Sequence, residues 1–347
     1  VLITGDDGHP QVFDLSVFGG TVDAIANADE PSHSIHRRMV LPQLTARKVS
    51  ALEEEVTRWA RRGISRLCEN SGGDCVAELA NNIPVMVTAR LIGLPVEDLE
   101  LLLGWAFSGG EILAGTHTLE DMVELGAATS RMSAYLTEHL GAVVAGGPGE
   151  LPDNILGELA RGMQQGLITQ REAVGLLVVL VGAAGESTSS LIGSAIRMLA
   201  QDLELQDKLR RQPQLIERFV EEVVRLESPF KGHYRALLRE TQLGGVRIPE
   251  QGRVFLLWAA ANRDPAVFEN PDQLDIARSD GGEHLGFGHG IHFCIGARLA
   301  RMEARIVREE LLAQTAHFSL NDPLEVQHLQ SIFVRRLGRL RLNVTPA

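Results

Sequence analysis

The chain has 347 residues, of which 44% are apolar and 22% charged, a balance that excludes a wholly disordered protein. Asp and Glu outnumber Lys and Arg by 45 to 33, which gives a formal net charge of −12. Such a surface disfavours nucleic acid and anionic membranes as partners. The three cysteines, Cys68, Cys75 and Cys294, are too few for a disulfide framework and favour a reducing, cytoplasmic location.

The chain begins at Val1 without a methionine or a charged-then-apolar leader, so no signal peptide is predicted. We expect instead that the N-terminal part of the fold is missing or trimmed. The longest apolar run, 173–185, is too short to span a bilayer and predicts a buried helix.

Helical periodicity dominates the pattern of apolar residues. It is clearest at 45–70, 76–93, 97–106, 119–140, 155–163, 170–200 and 214–227. Strand-like segments are few and late, at 235–240, 245–249, 253–259 and 340–345. The sequence therefore predicts a mainly α fold with a small β region, in a single domain over 1–347. No glycine-rich phosphate fingerprint follows a strand, which disfavours a dinucleotide-binding fold.

The most informative segment is FGHGIHFCIG, which places Cys294 just before an amphipathic helix. Its glycines allow the backbone to approach a flat ligand closely, and a helix N-terminus stabilises a thiolate. The predicted buried stripe of that helix is Leu299, Met302, Ile306 and Leu311. Its predicted solvent-facing side is Arg298, Arg301, Arg305 and Arg308.

Three interpretations of this cysteine compete. Cys294 can be an inert buried residue beside a turn. It can belong to a metal centre, although the spacing fits structural zinc only in part; the candidate ligands are His284, His289, His292 and Cys294. It can also be the thiolate axial ligand of a haem iron.

The pattern F-G-x-G-x-H-x-C-x-G resembles the cysteine-ligand loop of the cytochrome P450 haem-thiolate monooxygenases. The resemblance extends from about residue 20 to the end. It implies the P450 fold, haem b (iron protoporphyrin IX) as cofactor, and Cys294 as the iron ligand. The cofactor-binding residues that it implies in the loop are Phe287, Gly288, His292, Cys294 and Gly296.

Two further motifs support the resemblance. Glu222 and Arg225 form Glu-x-x-Arg, which is most often a solvated surface pair; in the family it is a buried pair closed by a third group, here from the segment 262–265. His33 and Arg37 lie one helical turn apart. In similar sequences this pair binds the haem carboxylates, together with residues that match Arg235 and His292.

The apolar run ends in GAAGESTSS, where Glu186 is costly to bury without a role. This segment resembles the family's oxygen-activation motif, with Glu186 as the acid and Ser187 at the position of the usual threonine. Thr188 is the alternative hydroxyl. The resemblance implies that these groups relay protons to bound dioxygen.

The implied activity is that of a haem-dependent monooxygenase, which hydroxylates or epoxidises a small apolar substrate with two external electrons. Because no flavin or iron–sulfur motif is present, ferredoxin and ferredoxin reductase are the expected donors. The docking patch that we expect is basic and consists of Arg37, Arg38, Arg47 and Lys48. The expected substrate walls are 18–30, 104–120, 180–184, 229–233 and 332–333.

Two alternatives remain open, a peroxide-driven haem-thiolate peroxygenase and a non-catalytic haem-binding sensor. The acid and hydroxyl at Glu186 and Ser187 argue against both, because neither function needs a proton relay.

Overall fold

The computed structural model describes residues 1–5, 8–14, 22–147, 149, 151–278 and 281–347. The α-helices within these ranges are α1 Ser32–Val40, α2 Ala46–Ser50, α3 Glu53–Glu69, α4 Asn82–Ile92, α5 Leu99–Ala106, α6 Ser108–Ile112, α7 Leu119–Ala145, α8 Ile155–Gln164, α9 Gln170–Ala200, α10 Leu203–Arg211, α11 Ile216–Glu227, α12 Trp258–Ala261 and α13 Ala297–Gln314.

The strands in the described residues are short. They are β1 Leu2–Thr4, β2 Pro10–Val12, β3 Gly72–Asp74, β4 His233–Ala236, β5 Thr241–Leu243, β6 Val246–Ile248, β7 Arg253–Leu256, β8 Thr315–Leu320 and β9 Arg341–Pro346. They form the antiparallel pairs β1–β2, β4–β7 and β5–β6 and a three-stranded sheet in the order β3–β9–β8. The prediction of a mainly helical fold with a small β region is confirmed.

Helix α9 forms the centre of the core. A capping box begins it, in which the Thr169 hydroxyl accepts from the Glu172 N–H and the Glu172 carboxylate accepts from the Thr169 N–H (3.2 and 2.7 Å). Of the described helices, only α9 is long and apolar enough to cross a membrane. Of its most apolar 18-residue window, 56% is buried inside the protein, which is typical of the central helix of a globular core.

The burial of α9 is interrupted near its middle. Ala183 is exposed, and Gly182, Ala184 and Ser187 are half-buried, whereas 188–196 is fully buried. Protein atoms therefore leave space beside this part of the helix, where the sequence predicts an oxygen-activation motif.

Helix α13 carries the predicted apolar stripe. All four residues of the stripe are at most 5% exposed; they are Leu299, Met302, Ile306 and Leu311. The prediction was wrong for Arg308, which is fully buried and donates to the backbone oxygens of Ala304 and Leu191. Burial lowers the pKa of Arg308 to about 9. Periodicity alone does not predict such burial, because it cannot show that a long side chain will meet carbonyl acceptors inside the core.

The expected substrate wall 18–30 falls partly outside the described residues, which do not include 18–21.

Candidate functional site

The loop before α13 turns back on itself around Cys294. The N–H of Cys294 donates to the carbonyl of Phe287 (2.9 Å). Gly288 and Gly290 have φ angles of +73° and +74°, a region that glycine adopts without steric cost. A Cβ added at Gly296 would lie 4.0 Å from the Cys294 sulfur. These glycines keep the backbone around the thiol free of side chains.

An ion-pair network joins this loop to α11. Arg301 lies over the ring of Phe287, 4.3 Å from its centroid, and donates to both carboxylate oxygens of Glu221 (2.6 and 2.7 Å). His284 Nε2 lies 3.1 Å from the same carboxylate. Burial alone would raise the pKa of Glu221, but the hydrogen bonds from Arg301 and His284 lower it to about 2. The loop is thus held by an ionised carboxylate on a neighbouring helix.

The acidity of the Cys294 thiol differs from the expectation that a helix N-terminus ionises it. Burial raises its pKa, against the opposing effects of the Gly296 N–H and the charges of Arg301 and Arg37. In the protein alone, the desolvation of the thiolate therefore outweighs the helix terminus.

Two imidazoles lie side by side near this loop, that of His33 buried and that of His292 half-buried. The rings of His33 and His292 are edge to face, with centroids 4.5 Å apart. In the described part of the chain, His33 Nε2 and His292 Nδ1 are buried without hydrogen-bond partners. Burial lowers the pKa of His292, and the charges of His33 and Arg235 lower it further. The structure therefore brings two of the four predicted carboxylate-binding residues, His33 and His292, into contact, and the charge of Arg235 acts on His292.

The fourth, Arg37, contacts the cysteine loop instead. Its Nη1 donates to the carbonyls of Phe293 (3.1 Å) and Ile291 (3.5 Å). Lys48, also part of the predicted basic patch, pairs with Asp153. The patch therefore carries less free positive charge than the sequence predicts.

Glu186 is buried in α9, with an exposed fraction of only 2%. Its Oε1 lies 3.5 Å from Nε of Arg336, and the Arg336 guanidinium lies over the Phe107 ring at 4.1 Å. A Cβ added at Gly110 would overlap the Glu186 carboxylate. Burial raises the pKa of Glu186 to about 7, although the charge of Arg336 opposes the shift. The carboxyl can therefore exchange a proton near neutral pH.

The two candidate hydroxyls differ in exposure. Ser187 donates to the carbonyl of Ala183 (2.7 Å) and lies on the open side of α9, whereas Thr188 is 4% exposed. Ser187 is the hydroxyl that a molecule bound beside the helix can reach.

The Glu-x-x-Arg motif is buried, not solvated. Arg225 donates to both oxygens of Glu222 (2.6 and 2.9 Å) and to the carbonyl of Asn262 (3.0 Å), the third group that the resemblance implies. The carbonyls of Pro271 and Gln273 accept its remaining donors, so all five N–H groups of Arg225 are used.

The structure does not favour the alternative of a histidine-rich metal centre. No group of three or more His, Cys, Asp or Glu side chains is placed to hold a metal ion in the residues that the structure describes. His284, one of the four candidate ligands, contacts Glu221.

The sequence profile of the family described as Cytochrome P450 matches residues 153–336. Cytochrome P450 144 from Mycobacterium tuberculosis is 38% identical over 338 residues, which are 97% of this chain and 76% of that protein. The chain belongs to the cytochrome P450 family. It is therefore a haem-dependent monooxygenase, as the sequence predicts.

Comparisons with other P450 proteins support the same family assignment. Vitamin D(3) 25-hydroxylase from Pseudonocardia autotrophica is 33% identical over 322 residues, 92% of this chain and 77% of that protein. The crystal structure of P450BioI in complex with hexadec-9Z-enoic acid ligated acyl carrier protein has a TM-score of 0.85. It is 30% identical, and the match covers 92% of this chain and 81% of that one.

The residues present fit an iron protoporphyrin, the cofactor of the family. The group needs a thiolate, and Cys294 lies in a loop whose glycines at 288, 290 and 296 leave open space, because a Cβ there would meet no side chain closer than the Cys294 sulfur at 4.0 Å. It carries two carboxylates, which need hydrogen-bond donors. His33 Nε2 and His292 Nδ1 are buried ring nitrogens that have no partner among the described residues, and the positive charge of Arg235 acts on His292. Its flat ring needs space, which the open middle of α9 provides.

Sequence reasoning missed several partners in this site. Glu221 and Arg336 belong to segments far in sequence from the residues they bind. Arg278, whose Nε lies 3.3 Å from Glu222, was missed as well. Each is an unremarkable charged residue when viewed along the chain, and only the tertiary fold brings it to the site.

Proposed function

We propose that Cys294 would hold the haem iron through its thiolate and that His33, Arg37, Arg235 and His292 would bind the haem carboxylates. The observation that carries this assignment is the pair of buried imidazole nitrogens of His33 and His292 beside the cysteine loop, which have no partner in the described part of the chain. Buried polar atoms normally have partners, so these nitrogens indicate a bound polar group. Phe287, Gly288 and Gly296 shape the loop around Cys294 that would hold the iron.

Bound haem supplies the oxygen-activating chemistry, to which a thiolate ligand contributes electron density. With haem bound, the reaction would also consume two protons, which the protein would have to deliver. We assign this task to Glu186 and Ser187, with Thr188 as the less favoured hydroxyl because it is buried. A carboxyl whose pKa lies at about 7 both releases and recovers protons near neutral pH.

The substrate that we propose is a small organic molecule with a largely apolar surface, which is hydroxylated or epoxidised. Small side chains in α9 leave space for it beside Ala183 and Ala184. One oxygen atom of dioxygen enters the product, and the other leaves as water with two electrons and two protons. The monooxygenase relatives do not favour a peroxygenase or a sensor.

The electron donors that we propose are a ferredoxin and its reductase, acting in the cytoplasm on a single domain over 1–347. One cluster of buried apolar residues extends from Ala24 to Val344, which supports a single domain. Arg38 and Arg47 are the remaining basic residues for an acidic partner. Because salt screens exposed charges beyond about 10 Å at 0.1 M, the rate of reduction should fall as ionic strength rises.

The decisive test is the spectrum of the ferrous carbonyl complex in Cys294→Ser. The variant should lose the red-shifted Soret band of a thiolate haem. Cys68→Ser and Cys75→Ser are matched controls in the same chain and should keep it. A Cys294→Ser protein with an unchanged band would contradict the assignment of the ligand.

A further inference from the structure

His233, at the start of β4, carries a hydrogen-bond donor whose direction is fixed by its neighbours. The indole Nε1 of Trp258 lies 2.8 Å from His233 Nδ1. An indole N–H can only donate, so Nδ1 accepts, and the proton of the neutral imidazole is on Nε2. In the described part of the chain, this Nε2 has no hydrogen-bond partner, and it is not sealed inside the protein.

The imidazole is neutral over the physiological range of pH. Burial lowers the pKa of His233 to about 4, and the charge of Arg235 acts in the same direction. The side chain therefore presents one uncharged N–H. An uncharged donor does not offset the desolvation of an anion, so it suits an uncharged acceptor oxygen better than a carboxylate.

Aromatic rings surround this donor. The His233 ring is 5.3 Å from the Phe333 ring and 5.4 Å from the Phe230 ring, measured between centroids and near edge to face in both cases. The two phenyl rings are themselves 4.9 Å apart. A molecule that reaches Nε2 therefore packs its carbon atoms against apolar rings.

The same rings adjoin the proposed substrate walls. The carbonyl of Phe333 accepts from the N–H of Lys231 (2.8 Å), and the N–H of Ile332 donates to the carbonyl of Ala114 (2.9 Å). The Ile332 side chain would lie 3.1 Å from a Cβ added at Gly115. His233 thus stands where the segments 104–120, 229–233 and 332–333 meet.

We propose that His233 Nε2–H binds an uncharged acceptor oxygen, such as a ketone carbonyl, on a substrate whose remaining surface is apolar. The proposal rests on the proposed monooxygenase site and narrows its substrate class. Phe230 and Phe333 hold the carbon skeleton next to the oxygen, and Trp258 is the positioning residue that fixes the imidazole tautomer.

The test uses pairs of ligands that differ in one oxygen, cyclododecanone with cyclododecane and 2-adamantanone with adamantane. Dissociation constants are measured on the haem-loaded protein from the spin-state change of ferric haem. The affinity of each ketone relative to its hydrocarbon partner should be about tenfold higher in the wild type than in His233→Phe, the change expected from the loss of one net hydrogen bond. His233→Gln, whose amide N–H₂ replaces Nε2–H, should keep the wild-type ratio.

Tyr234→Phe is the matched control, because Tyr234 is the next residue in β4, points to the opposite face and is 50% exposed; it should leave both affinities unchanged. Trp258→Phe removes the donor to Nδ1. In ¹⁵N spectra of the diamagnetic ferrous carbonyl form, it should convert a single Nε2–H tautomer of His233 into a mixture.

Two results would overturn the proposal. They are a ratio of ketone to hydrocarbon affinity that is unchanged in His233→Phe, and the absence of a spin-state change with either ketone. If Nε2 instead binds a haem carboxylate, His233→Phe will speed haem transfer to apomyoglobin and leave the ratio between ketone and hydrocarbon intact. Failure of the underlying monooxygenase assignment is distinguishable, because the wild-type carbonyl complex would then lack the thiolate spectrum.

Discussion

Glu186 and Arg336 form an ion pair inside the protein, with 3.5 Å between Oε1 and Nε. Glu186 belongs to the central helix α9, and Arg336 belongs to the segment that leads into β9. Burial raises the pKa of Glu186 to about 7, and the pKa would be higher without Arg336. Arg336 therefore lowers the pH at which Glu186 exchanges its proton, against the larger effect of burial.

Replacing Arg336 should shift the pH dependence of turnover. In Arg336→Met the opposite charge is lost, so the pKa of Glu186 rises and the carboxylate form appears only at higher pH. Nearby charges shift a carboxyl by about one unit or more, and the ascending limb of the pH–rate profile should move upward by that amount. The control is Arg339→Met, since Arg339 is exposed in the same segment. Superimposable profiles for wild type and Arg336→Met would disprove this role.

The exposure of Ser187 predicts how tightly electron consumption is coupled to product formation. Ser187→Ala should lower the product formed per reductant consumed, because the hydroxyl on the open side of α9 is lost. Ser187→Thr should keep the ratio, and Thr188→Ala should change it little because Thr188 is buried. The measurement is product against reductant in each single variant. Loss of coupling in Thr188→Ala alone would assign the hydroxyl role to Thr188.

Haem retention should depend on the imidazoles and on Arg235. His33→Leu, His292→Leu and Arg235→Leu each remove a partner of a carboxylate. Since a hydrogen bond to a charged group contributes about 1.5–3 kcal/mol, each should speed haem transfer to apomyoglobin by about tenfold or more. The control is Arg38→Leu on the same helix as His33, because Arg38 bonds only the carbonyl of Ser34 in the described structure. Unchanged transfer rates in all three variants would remove these residues from the site.

The buried pair of Glu222 and Arg225 should govern stability rather than chemistry. Glu222→Gln leaves the Arg225 charge buried without its carboxylate, which should cost about 3–5 kcal/mol of unfolding free energy. Urea unfolding of the haem-loaded protein measures this. An exposed pair provides the control: Glu54→Gln, which breaks the surface bridge to Arg58, should cost less than about 1 kcal/mol. Similar losses in the two variants would contradict the structural role.

Much of the helical fold could be predicted because long amphipathic helices repeat one pattern many times. The predicted segment 170–200 coincides with α9, and 155–163 differs from α8 by one residue. The strands β1, β2, β3, β5 and β8 were not predicted; all but β8 have only three residues, which carry too little alternation. The strand predicted at 253–259 was wrong at its end, because β7 ends at Leu256 and α12 begins at Trp258. The strand predicted at 235–240 ends at Ala236 and begins at His233.

The residues of the candidate site also fall into a predictable and an unpredictable group. Cys294, His292 and Phe287 lie within one short motif, so the sequence alone predicts that they are close together. The partners Glu221 and Arg336 are brought by other segments, and nothing in their local sequence distinguishes them. His233 also could not be assigned from the sequence, since its role depends on Trp258. The antiparallel pairing of β4 and β7 brings Trp258 next to it.

Residues from three helices contact and support the cysteine loop, so the motif alone should not keep its conformation in another protein. Arg37 holds its carbonyls from α1, Arg301 covers Phe287 from α13, and Gly286 packs so closely on Val224 of α11 that a Cβ there would overlap it. A protein engineer who grafted the ten residues FGHGIHFCIG onto an unrelated helical scaffold would transfer the ligand without these supports. A graft that preserves the site would have to include the loop together with α1, α11 and α13, which support it.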